Sequence, residues 1–154
     1  MNQILKQTDA LNSSSKIREE IDEDYAQEMS STWIFDITFE NVDEKLRNAL
    51  IYVGFGIITE IDIQKTFKEK LGINYDRFQI LGACNPSLAN QALNIEREVA
   101  MFLPCNVVFW ENRDLSVTIS AIDAERQLSL AKDQNLLAIG KEVYELLKKA
   151  IDLI

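Results

Sequence analysis

From Trp33 the chain alternates, with Trp33, Phe35, Ile37 and Phe39 on one side and Ile34, Asp36, Thr38 and Glu40 on the other. A period of two predicts a strand. Asn41 followed by Glu44 makes an N-x-x-E capping box that opens a helix. Val42, Leu46, Ala49, Leu50 and Val53 line its apolar face, and Gly54 stands at the position that ends it. Phe55 to Ile61 predicts a second strand, largely buried. Asp62 caps a second helix with Ile63, Phe67 and Leu71 inward, closed by Gly72. Phe78 to Cys84 predicts a third strand. Asn85 and Pro86 suit the N-cap and first position of a short helix carrying Leu88, Ala92 and Leu93.

Val107 to Trp110 is apolar on both faces, as a central strand would be. The polar turn Glu111 to Asp114 joins it to Val117, Ile119 and Ala121, which alternate with Ser116, Thr118 and Ser120; the pair predicts a hairpin with one dry face. Leu136, Gly140, Val143, Leu147, Ala150 and Ile154 recur at spacings of four and three, a seam for one long helix packed on the sheet or on a second copy. Glu96, Arg97 and Glu98 read as an exposed helix end. The order of elements predicts an α+β domain over residues 31–154: a mainly antiparallel or mixed sheet of about five strands, helices on one face, and a long C-terminal helix. The other face then needs a cover, such as a second subunit.

Residues 1–30 differ. They hold three basic and seven acidic side chains, so this fifth of the chain carries −4 of a total formal charge of −9. Ser15 is placed to cap a helix, and Ile17, Ile21, Tyr25 and Met29 then recur every four residues as a narrow apolar stripe. This acidic extension reads either as a docking helix for a protein partner or as a solvated helix on its own domain.

Charge and composition remove several classes. With 25 acidic residues against 16 basic ones and no dense basic cluster, neither nucleic acid nor a membrane surface is an expected partner. No apolar run reaches the ~20 residues of a membrane span, and the N-terminus lacks a secretory pattern, so a cytoplasmic setting is expected. Two cysteines there read as free thiols. The chain has no histidine. That removes imidazole-activated nucleophiles and every His-containing metal site.

The remaining chemistry centres on two related tetrapeptides, Ala83-Cys84-Asn85-Pro86 and Pro104-Cys105-Asn106-Val107. Cys84 ends one predicted strand and Cys105 begins another. If those strands are antiparallel neighbours, both thiols lie at one end of the sheet. Cys84 also precedes a helix N-terminus, which favours a thiolate. Nucleophile, redox pair, soft-metal ligand and buried structural cysteine are all consistent with this placement. Glu60 and Asp62 project to one strand face as a carboxylate pair, or serve separately as a strand-end residue and a cap. Gly54 and Gly56 resemble only a fragment of a phosphate loop.

Three stretches in order, GFGIITEID, ILGACNPSLANQAL and LPCNVVFWE followed by SAID, resemble the motif series of the domain-of-unknown-function 302 family, clearly over about residues 33–125 and compatibly through the C-terminal helix. The matching positions are Gly54, Gly56, Glu60, Gly82, Cys84, Asn85, Pro86, Pro104, Cys105 and Asn106. The hairpin turn departs from the pattern in lacking a glycine, and Phe109-Trp110 is bulkier than usual. The resemblance implies an antiparallel sheet packed on helices and a homodimer; it implies no established activity or cofactor. The first functional reading is therefore a homodimeric, non-enzymatic domain binding a small ligand or soft metal through Cys84, Asn85, Cys105, Asn106 and Glu60. The alternatives are a structural or interaction protein with inert cysteines, and a thiol redox protein using Cys84 and Cys105.

Overall fold

The computed structural model describes residues 30–154. In chain order its elements are β1 (Ser30–Phe35), α1 (Phe39–Tyr52), β2 (Gly56–Asp62), α2 (Ile63–Leu71), β3 (Phe78–Cys84), α3 (Pro86–Ile95), a 3-10 segment (Arg97–Phe102), β4 (Cys105–Glu111), β5 (Val117–Ile122), α4 (Ala124–Ser129) and α5 (Gln134–Asp152). The helix expected after Ser15 lies outside the described residues.

The five strands form one sheet in the order β1-β5-β4-β3-β2, and every neighbouring pair is antiparallel. The register sorts its faces. Leu81 and Ala83 of β3, Cys105, Val107 and Phe109 of β4, and Val117, Ile119 and Ala121 of β5 share one face, and all are buried. Against them pack Val42, Leu46 and Leu50 of α1, Leu88 and Ala92 of α3, and Leu136, Val143, Leu147 and Ile151 of α5, which completes the core. At the β1 edge the Trp33 indole N–H donates to Asp152 at 2.9 Å, and the Ser31 and Tyr144 hydroxyls are hydrogen-bonded, so α5 runs over that strand.

The first strand is shorter than its alternation suggests. It ends at Phe35, and Phe39 and Glu40 belong to α1. The cap is Thr38 rather than Asn41: its hydroxyl accepts from the Asn41 N–H at 3.3 Å. The driving contact is long-range. Phe39 enters the core with its ring centroid 4.8 Å from that of Phe109, beneath the Arg77 guanidinium. The second strand is also not the buried one expected: six of its seven residues, all but Ile57, are exposed. It is an edge strand with one neighbour and a bulge between Ile57 and Thr59, a common form for a sheet edge. Its helix α2 likewise buries no residue fully, and Leu71 is exposed rather than inward.

Caps written in the sequence are made elsewhere as expected. Asp62 accepts from the Lys65 N–H at 2.9 Å, Gly72 closes α2 with φ 68°, and Asn85 accepts from the Leu88 N–H at 3.2 Å with Pro86 opening α3. Between β4 and β5, Leu115 takes φ 68°, a left-handed conformation that glycine adopts without strain. Helix α4, capped by Asp123, is an element that the apolar periodicity did not reveal. It lies so close to α5 that a Cβ on Gly140 would sit 2.6 Å from the Ala124 carbonyl oxygen. Among the described residues no helix is long and apolar enough to cross a membrane.

Candidate functional site

Antiparallel pairing of β3 with β4 sets Ala83 opposite Cys105. The end of β3 and the start of β4 therefore share one end of the sheet, and Cys84 and Asn85 follow directly. Both cysteines are free thiols. Together with Asn85 they line a cavity closed by α3, the 3-10 segment, α4 and α5, whose other walls include Phe55, Leu88, Val99, Phe102 and Leu128. The cavity is apolar and measures about 30 Å³. That is room for about one water, against the several hundred Å³ of a small-molecule pocket.

Burial, and secondarily the nearby Cys84, pushes the Cys105 thiol up to about 11. It stays protonated at neutral pH, which suits neither thiolate chemistry nor easy metal ligation. The register sets Cys84 one residue beyond Ala83, the partner of Cys105, so the two thiols stand on adjacent strands at one end of the sheet.

The other candidate residues lie elsewhere. Glu60 is opposite Leu81, three residues before Cys84 and thus ~10 Å along the strand. It accepts from the two terminal Arg47 guanidinium nitrogens, at 2.6 and 3.1 Å, and from the Gln79 amide at 2.9 Å. Arg47 is held in turn by Asp43 at 2.8 Å, so Glu60 clamps β2 to α1. Asp62 on the same face is occupied as a cap. Asn106 is exposed and lies opposite Gly82, on the face of the sheet away from the core. Among the described residues no three acidic or thiol side chains gather as a metal site would require.

That outer face is the larger feature. Pairing places Ser30, Thr32 and Ile34 of β1, Thr118, Ser120 and Ile122 of β5, Asn106, Val108 and Trp110 of β4, Phe78, Ile80 and Gly82 of β3, and Thr59 and Ile61 of β2 together on it. None is charged. Trp110 stacks on Phe78 at 5.3 Å and 10°, while Ile34 is 70% exposed and Ile61 45%. Toward β1 the surface turns polar: the Ser120 hydroxyl donates to Ser30 at 2.8 Å, and the Asn112 amide donates to Ser116 and Thr118, each at 2.9 Å. The sequence signal for this face lay in the second parity of each strand, and it could be assembled only once the strand order was known.

The fold and its motifs define a small α+β domain with a five-stranded antiparallel sheet, helices on one face and cysteine motifs at one sheet end. The chain belongs to the family described as domain of unknown function DUF302, whose model matches residues 32–154. It is similar to the crystal structure of an uncharacterized conserved protein DUF302 from Bacillus stearothermophilus, at 24% identity and a TM-score of 0.75, over 80% of this chain and 96% of that one. That likeness speaks for the fold alone. No curated protein matches the chain.

Proposed function

We propose that this chain acts as a non-enzymatic, homodimeric interaction domain of the cytoplasm, with the outer sheet face as the dimer interface. The observation that carries this reading is the absence of any charged side chain on a five-stranded face of a protein with formal charge −9. Sheets with one solvated face normally alternate apolar-in with polar-out, and depletion of charge is the compositional mark of an interface core. The stacked Trp110 and Phe78 supply aromatic anchors of the kind enriched there. A site at the cysteines is the second reading. It is favoured by the meeting of Cys84, Asn85 and Cys105 at one cavity and opposed by that cavity's size and the protonated Cys105.

The test is analytical ultracentrifugation of the full chain beside Val108→Asp, at 0.05 and 0.5 M NaCl. A dimer of two acidic bodies joined by an uncharged face tightens as salt screens their repulsion. Val108→Asp buries like charges at the contact and weakens the dimer ~100-fold or more. A wild-type chain that stays monomeric at millimolar concentration, or a variant that associates as tightly as wild type, refutes the proposal.

A further inference from the structure

The geometry points to a separate binding site: a groove on α2 that takes a small organic carboxylate with an apolar body. Gly72, at φ 68°, reverses the chain after α2, and residues 73–75 run back along the helix. Three contacts fix them there. The Gln64 amide donates to the Tyr75 carbonyl at 2.9 Å, the Lys68 ammonium donates to the Asn74 side-chain oxygen at 2.9 Å, and the Phe67 ring meets Tyr75 edge-on at 5.0 Å. Between helix and loop lies a cavity of about 490 Å³, open to solvent. That is within the ~300–1,000 Å³ of small-molecule sites, a size the cysteine-lined cavity does not reach. The groove shares no lining residue with that cavity or with the outer sheet face.

The chemistry of its walls selects the guest. Apolar surface comes from the loop, where Ile73 is 45% and Tyr75 44% exposed. Helix α2 buries no residue in the core, so this surface is left unused by the fold. Charge comes from the helix. Lys65 and Lys68 stand three residues apart on one helix face, and Lys65 is in no ion pair among the described residues. Lys68 keeps two further ammonium protons beyond its bond to Asn74. With Glu69 the lining holds two cations and one anion, a local positive excess on a chain of formal charge −9. An anion is therefore the favoured guest. Glu69 opposes a second negative charge on it, which selects a monocarboxylate over the nearly dianionic phosphate esters. The apolar body of the guest then lies against Ile73 and Tyr75.

The experiment titrates the nitrogen-15-labelled full chain with 2-naphthoate and with its uncharged analogue 2-naphthamide, following backbone amide shifts. An open site for a ligand of about 13 non-hydrogen atoms gives a dissociation constant of about 1 mM. The shifts should centre on residues 64–75 and saturate with that constant. 2-Naphthamide on the wild type, and 2-naphthoate on Lys65→Gln/Lys68→Gln, should each bind at least about fivefold more weakly. Lys70→Gln, on the same helix but outside the groove, should bind as wild type does. Lysine and glutamine have similar helix propensity and neither lysine is a core residue, so weaker binding would not come from loss of the helix. The inference is overturned by shifts that stay absent up to about 10 mM, tenfold above the expected constant. It is equally overturned by shifts centred on Trp110 and Phe78, or by undiminished affinity for 2-naphthamide or in the double variant.

Discussion

Replacing Gly140 by alanine sets two opposed effects against each other in the middle of α5. Glycine in a helix interior is disfavoured by about 1 kcal/mol relative to alanine, so on propensity alone Gly140→Ala should stabilise the protein by that amount. The packing says otherwise. The new Cβ would lie 2.6 Å from the Ala124 carbonyl oxygen and 3.1 Å from both the Ala124 carbonyl carbon and the Glu125 Cα. These are backbone atoms of α4, which cannot rotate away as a side-chain tip can. Restoring ordinary contact requires α4 to move by nearly 1 Å, and α4 carries buried Ala124 and Leu128 against the core. Overpacking of this kind costs ~1–3 kcal/mol, and contact with three backbone atoms places this case at the upper end. The net expectation is destabilisation by about 2 kcal/mol, or ~4–8 °C in melting temperature for a chain of this size. Urea denaturation of wild type and variant, with the m-value held as a check on two-state behaviour, measures it directly. A midpoint equal to or above wild type would show that α4 does not sit against Gly140, and with it would fall the wall that α4 contributes to the cysteine-lined cavity.

Two further outcomes test other parts of the structure. The Cys105 thiol is raised from 9.0 to about 11 by burial, so between those values the native state holds a proton that the unfolded state has released. Stability from this group is therefore unaffected below pH ~8 and falls as pH climbs from 9 to 11, by at most about 3 kcal/mol; urea midpoints across that range should decline more shallowly in Cys105→Ala than in wild type. Leu115, 70% exposed and at φ 68°, has nothing buried to lose, so Leu115→Gly should raise the urea midpoint by the equivalent of about 0.5–1 kcal/mol; a loss of stability would contradict the left-handed turn.

Local signals in the chain determined much of this protein. Asp62, Gly72, Asn85 and Pro86 end or begin helices where their side-chain chemistry directs, because a cap needs only neighbours within a few residues. The spacing of Leu136, Val143, Leu147 and Ala150 foretold α5, and the order of elements foretold an α+β domain with an antiparallel sheet. Family membership was legible in the same way, from short motifs in fixed order. Of the five candidate site residues, the sequence marked Cys84, Cys105 and Glu60 at strand ends and Asn85 as a helix cap, and left the role of Asn106 open. It could not say that Glu60 would be held by Arg47 from α1, since that pairing depends on how α1 crosses the sheet. Strand order decided the rest. β2 reads as apolar in isolation, yet tertiary structure put it at an edge and so left it exposed. Phe39 continues the alternation of β1, yet its contact with Phe109, 70 residues away, drew it into a helix because burying an aromatic ring outweighs a local period. The charge-free outer face is likewise written in five separate strands, and only their register brings it together.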